Sequence, residues 1–196
     1  MWNRPKRGLI FVIAGTSGSG KTTLANRILK QPQLKNKVVK SISFTTRPKR
    51  PEERRERDYL FVSKGEFRRL RKTKKILEHT HYLGYDYGTS RQFIERAIAK
   101  GLNVILCLDI RGAKFLKKRY PRRTITIFIK PPSLDAVEQR ILGRYANTSQ
   151  GELNQRLQLA SKELGYAKYC DYNLVNDDLR KATREVGQII QWAISQ

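Results

Sequence analysis

The stretch Gly15-Thr16-Ser17-Gly18-Ser19-Gly20-Lys21-Thr22 has the residue types and spacing that most directly promise chemistry. It fits the pattern G-x-x-x-x-G-K-[ST], and it has the context the pattern needs, with the apolar run Leu9 to Ala14 before it and a helical pattern from Thr22 to Leu29 after it. Glycines at these positions let successive backbone N–H groups turn inward around phosphate oxygens, and the helix N-terminus adds positive potential. Lys21 would reach the β- and γ-phosphates of a nucleoside triphosphate, and the Thr22 hydroxyl would ligate Mg²⁺. Thr23 carries the segment into the helix. A plain Gly/Ser turn between strand and helix is disfavoured by the match, the context and the Lys-Thr pair together. The motif alone does not separate kinases, GTPases and motors, which share it.

The elements that must hold this loop alternate along the chain. Apolar runs at Leu9 to Ala14, Asn103 to Asp109 and Thr124 to Ile129 are each followed by a helical pattern, at Thr22 to Leu29, Ala113 to Lys118 and Leu134 to Leu142. That order predicts parallel βαβ units, and runs apolar on both faces predict strands covered by helices above and below. Ser63 with Glu66 predicts a capping box, Ser90 and Ser133 open further helices, and Gly101 sits where a left-handed C-cap belongs. The segment Leu179 to Ala193 is apolar at helical spacing and is expected to lie against the sheet. From 41 to 88 the pattern changes to short β-like pieces, "SISFTT", "DYLFV" and "KILEHTHYL", with a charged stretch and one helix, which predicts an inserted lobe. The fold class expected is α/β, a doubly wound parallel sheet flanked by helices, in one domain.

Lys and Arg number 41 against 17 Asp and Glu, a formal charge of +24 that must attract anions. Nucleotides, nucleic acid and acidic membrane surfaces all qualify, and the cations are spread through every segment, so a solvated basic surface is favoured over a dedicated RNA site. Cys107 and Cys170 show neither metal nor disulfide spacing, which predicts a reducing, cytoplasmic setting. The apolar stretch before Gly15 is too short for a signal sequence or a membrane span, so no membrane partner is expected. His79 and His81 alternate in a strand pattern and are expected to be structural, and Cys107 is expected to be a small buried apolar group.

"SISFTTRPKRPEERRERDYLFV", "FRRLRKTKKILEHTHYLGYDYGTS", "LDIRGA", "FIKPPSLDAVEQRILGRY" and "LVNDD" follow in order, and with the glycine loop they resemble the guanylate kinase family across residues 8 to 195. The resemblance implies a P-loop nucleotide kinase with a core at 8–40, 89–132 and 165–196, a GMP-binding lobe near 41–88 and a helical lid near 133–164. It implies transfer of the ATP γ-phosphate to GMP or dGMP, with Mg²⁺ at Thr22. Gly15, Thr16, Ser17, Gly18, Ser19, Gly20, Lys21, Thr22 and Thr23 would hold ATP, with Asn176 beside the adenine. Arg47, Arg50, Tyr59 and Tyr87 would grip the acceptor phosphate, an assignment that suits bidentate guanidinium forks and neutral phenol donors. Ser43, Glu78, Thr89 and Asp109 would surround the guanine, with Glu78 accepting from N1–H and the exocyclic amine, a pair that adenine cannot offer. Lys21, Arg47, Arg140, Arg144 and Arg156 form the expected catalytic set, the last three as lid arginines over the triphosphate.

The chain departs from the family pattern in places. Cys107 stands where an aspartate is usual, Glu52 and Glu56 replace two glycines of the acceptor loop, Tyr85 and Asp86 replace the usual residues before Tyr87, and Arg111 replaces a glutamine. Left-handed backbone at a glutamate costs about 1 to 2 kcal/mol, so the loop is expected to take another path. Two other readings stand beside the kinase. A binding module built on the same fold would bind nucleotide tightly without turnover, and a kinase with added RNA contacts would show steep salt dependence. The quaternary state expected is monomer or homodimer.

Overall fold

Odd and even residues of the run Ile10 to Ala14 face opposite ways, and each set has its own helical cover. The computed structural model describes residues 8–51, 53–143 and 149–196. The chain begins with β1 (Ile10–Gly15), α1 (Lys21–Ile28) and β2 (Val38–Lys40). Next come β3 (Ser43–Thr45), β4 (Tyr59–Phe61), α2 (Lys64–Lys72), β5 (Ile76–Tyr82) and β6 (Tyr85–Ser90). It continues through α3 (Arg91–Ala99), β7 (Asn103–Cys107), α4 (Ile110–Arg119), β8 (Thr124–Lys130) and α5 (Leu134–Leu142). The last elements are α6 (Gln150–Leu164), β9 (Tyr172–Val175) and α7 (Leu179–Ser195).

The main sheet runs β2-β7-β1-β8-β9, with every neighbouring pair parallel. On one face Phe11, Ile13, Ile105, Ile127 and Ile129 pack with Leu24 and Ile28 of α1 and Val186 and Ile190 of α7. On the other face Ile10, Val12, Ala14, Val104, Leu106 and Phe128 pack with Ile94 and Ile98 of α3 and Leu116 of α4. This double cover explains why the central strands read as unbroken apolar runs. From β1 the chain passes to the edge strand β2, returns inward to β7 beside β1, and then crosses to β8 and β9 on the other side, so the crevice at the carboxyl end of β1 lies where doubly wound folds bind ligands.

A second, mixed sheet lies between 41 and 90, in the order β4-β3-β6-β5. It is backed by Phe67 and Leu70 of α2, which pack with Ile76. Strand β6 is not among the β-like pieces anticipated from sequence. The turn joining it to β5 is Leu83-Gly84, both at positive φ (49° and 80°), between the paired residues Tyr82 and Tyr85. This is the two-residue hairpin turn expected of Asn-Gly, and a leucine in its first position hides it. Helices α5 and α6 pack through Val137, Ile141, Leu153 and Ala160.

Local punctuation follows the sequence closely. Ser63, Ser90 and Ser133 accept from the backbone N–H of Glu66, Phe93 and Ala136, and Asp178 caps α7 through the N–H groups of Arg180 and Lys181. Gly101 has the expected left-handed conformation at φ 77°. Glu56 has a left-handed backbone at φ 64°, the conformation that the expected change of path would have avoided; Glu52 lies outside the described residues. Among the described residues no helix is long and apolar enough to cross a membrane.

Candidate active site

A cleft of about 890 Å³ opens at the carboxyl end of β1 and is lined from both sheets and from α5 and α6. The glycine loop forms its floor. A Cβ at Gly15 would stand 2.4 Å from the carbonyl oxygen of Ile129, and one at Gly20, where φ is 89°, 2.5 Å from Asn176 Nδ2. Both positions therefore need glycine, for close approach as much as for backbone freedom. Lys21 folds back along the loop, its Nζ donating to the carbonyls of Gly15 (2.6 Å) and Thr16 (2.7 Å). Gly15, Ser17, Gly18, Gly20, Lys21, Thr22 and Thr23 line the cleft. Thr16 and Ser19 do not; both residues are fully buried behind it.

Asn176, expected beside the adenine, lines the cleft. Its Nδ2 donates to the carbonyl of Ser19 (2.8 Å), and its main-chain carbonyl accepts from Arg140 (3.0 Å), so the residue also braces the phosphate loop.

On the far wall Arg47 and Arg50 meet at Glu53, which the sequence reading did not single out. Arg47 makes a forked pair with both Glu53 oxygens (2.6 and 2.8 Å), while the Arg50 N–H donates to the same carboxylate at 3.0 Å. Glu53 is only 5% exposed. The guanidinium of Arg47 also lies 5.6 Å from the Tyr59 ring centre, and Tyr59 and Tyr87 meet edge to face at 6.0 Å. Burial pushes the Tyr59 phenol up to about 12 and raises that of Tyr87, so both remain neutral donors at any physiological pH. Ser43 on β3 lines the same wall.

Glu78 faces the cleft from β5 although only 7% of it is exposed. Burial, reinforced by the nearby negative charge of Asp109, pushes its carboxyl up to about 7 against the pull of a hydrogen bond from Thr89. Thr89 donates that bond through its hydroxyl, is fully buried and does not line the cleft. Thr89, expected near the guanine, thus holds Glu78 from behind. Room for the carboxylate comes from Gly112, where a Cβ would lie 2.9 Å from Glu78 Oε2. Asp109 lines the cleft and also caps α4, accepting from Gly112 N–H at 2.9 Å. The small residue after "DIR" was the only sequence trace of this arrangement.

Arg140 of α5 and Arg156 of α6 reach the loop from above, the first to the carbonyl of Gly18 (3.4 Å) and the second to Ser17 Oγ (3.5 Å). Arg156 is itself held by Glu152 at 2.6 Å. Arg144 lies outside the described residues. Glu163, unremarked in the sequence, lines the cleft as well; burial raises its pKa, while Lys21 and the Ser17 N–H draw it the other way. Cys107 also lines the cleft, its thiol pushed up by burial against the pull of Lys21, Lys40 and a hydrogen bond with Thr22. It is therefore a neutral thiol, not a hard oxygen donor. Thr22 and Asp109 are hard donors on the cleft, and among the described residues no cluster of three His, Cys, Asp or Glu could hold a metal. Such a donor set fits Mg²⁺ with phosphate oxygens completing its shell.

A glycine-loop floor facing a buried carboxylate and an arginine clasp across one cleft defines a P-loop nucleotide kinase. The family model for guanylate kinase matches residues 7–193. A guanylate kinase of Anaplasma phagocytophilum is 36% identical over 184 residues, 94% of this chain and 86% of the relative. One of Streptococcus pyogenes serotype M3 is 37% identical over 186 residues, 95% of this chain and 86% of the relative. The crystal structure of guanylate kinase from Anaplasma phagocytophilum superposes with a TM-score of 0.81 at 29% identity, covering 97% of this chain and 88% of that one. The chain belongs to the guanylate kinase family. It is an enzyme, a nucleoside monophosphate kinase.

Proposed function

We propose that the enzyme phosphorylates GMP, and dGMP with the same base, by direct in-line transfer of the ATP γ-phosphoryl group. An oxygen of the acceptor phosphate forms the new bond to the γ-phosphorus as the bond to the β,γ-bridging oxygen breaks, leaving ADP and a nucleoside diphosphate. The observation that carries this reading is the presence of Glu78 and the glycine loop on one cleft. Ionised Glu78 would accept from guanine N1–H and N2–H, with Ser43 as a hydroxyl partner at the base and Asp109 close by. Arg47 and Arg50, with Tyr59 and Tyr87, would hold the acceptor phosphate, the guanidinium planes already set by Glu53.

Lys21 would exchange its loop carbonyls for β- and γ-phosphate oxygens when ATP enters. Arg140 and Arg156, with Arg144, would neutralise charge on the phosphoryl group in flight. Thr22 would hold Mg²⁺ through its hydroxyl, and the ion would supply positive charge against the phosphates. In this reading the segment 41–88 serves as the acceptor lobe and 133–164 as the lid, which excludes water when it closes. Coupled-assay measurement of ADP release with GMP, AMP, UMP and dTMP tests the proposal. Fast turnover with GMP alone is expected, and no preference for GMP overturns it.

A further inference from the structure

Away from the cleft, α4 and the turn after it carry a second concentration of charge. Arg111, Lys114, Lys118 and Arg122 are exposed and recur at helical spacing, and no acidic residue occurs between Ile110 and Arg123. Beside this row stand two exposed tyrosines, Tyr166 (40%) and Tyr169 (57%), with ring centres 6.2 Å apart. Lys114 Nζ sits 4.7 Å from the first ring and 4.2 Å from the second, and Lys168 lies 5.3 Å from Tyr169. Lys114, Lys118 and Tyr169 border a shallow hollow of about 330 Å³ that shares no lining residue with the catalytic cleft. Lys117 is paired with Asp171 at 2.8 Å, which fixes the floor of the hollow without cancelling the row above it.

Exposed rings beside a row of cations supply the two contacts a single strand of nucleic acid requires, a π-face for unpaired bases and positive charge along the backbone. A duplex keeps its base faces stacked and has no use for the rings. An anionic bilayer is best met by an apolar helix flank, whereas these tyrosines are both met by Lys114, and Tyr169 stands at the edge of a concavity. We propose that this face binds single-stranded nucleic acid, with phosphates along Arg111, Lys114, Lys118 and Arg122 and bases stacked on Tyr166 and Tyr169. The function is separate from phosphoryl transfer and gives Arg111, the residue in place of the family's glutamine, a physical role.

The test is fluorescence anisotropy of a labelled oligo(U) RNA, about twelve nucleotides long, with the whole protein in saturating ADP and GMP over a range of KCl. Four phosphate contacts predict a slope of log affinity against log salt near −3, since each contributes about −0.7 on a single strand. Paired Lys118→Glu and Arg122→Glu changes should flatten that slope. Tyr169→Ala should weaken binding roughly five- to a hundredfold, Tyr169→Phe should not, and GMP phosphorylation should be unchanged in all of these variants. The proposal is overturned by no binding at 50 mM KCl, or by competition from the nucleotides. Equal affinity for a hairpin duplex, or binding of phosphatidylserine vesicles in place of the RNA, overturns it too. Loss of binding in Tyr169→Phe as well as Tyr169→Ala would also sink the stacking role.

Discussion

Glu78 is a carboxyl group kept where ionisation is costly, and its chemistry follows from that. Its folded pKa of about 7 lies above the ordinary 4.5, so in the nucleotide-free protein its stabilising contribution is full below the lower figure and is lost as pH rises through about 7. In the proposed reading guanine is held by the ionised form, so GMP affinity should rise from pH 6 to pH 8 while the free protein becomes less stable. Glu78→Gln should flatten both trends and weaken GMP binding roughly ten- to a hundredfold with little change for ATP. Calorimetric titrations at three pH values read the first effect, and a wild-type pH trend in the variant refutes the assignment. Glu53 acts instead through its ion pairs. Removing it by Glu53→Ala leaves Arg47 and Arg50 without their shared anion and should cost about 3 kcal/mol in urea unfolding, along with a higher KM for GMP. The sequence pointed to Arg47, Arg50 and Glu78 through motif position, but it could not separate Glu53 from its charged neighbours in "RPEERRERD". Only the folded loop distinguishes it, by burial.

At the scale of elements, the site depends on how closely α4 approaches β5. Gly112→Ala would bring a methyl group against Glu78 and against Leu108, whose Cδ1 lies 3.0 Å from the added Cβ. The expected result is an increase in KM for GMP of about tenfold with KM for ATP unchanged, because the disturbance falls on one wall of the cleft and amounts to one weakened charged hydrogen bond. Steady-state kinetics varying each substrate in turn would show it, and an equal rise in both constants would argue against the geometry. The main strands and most helix starts were legible because their signals are local: apolar runs, and a serine three residues before a main-chain donor. Strand β6 was hidden by a leucine in a turn position normally held by asparagine or glycine. The contacts of Thr89 and Asn176 were hidden for another reason, since nothing in the chain shows which neighbour from a distant segment a hydroxyl or an amide will meet.

The whole molecule carries +24, and both proposed substrates are anions. Steering by that field should make kcat/KM fall as KCl is raised from 20 to 300 mM while kcat stays nearly constant; the drop expected is about tenfold. Stopped-flow measurement of association would place the effect in the on-rate, and salt-independent association would assign the charge elsewhere. Composition revealed the sign of this field but not its distribution, because exposed cations on α4 and half-buried ones at Glu53 look alike in a string of letters. In the proposed reading the arginines that hold the acceptor phosphate come from the loop between β3 and β4, while Glu78 and Asp109 at the base come from β5 and the start of α4. That separation along the chain makes the protein a ready starting point for redirecting substrate choice. An engineer could rebuild the wall around Glu78 for another nucleobase and leave the anchoring of the monophosphate untouched.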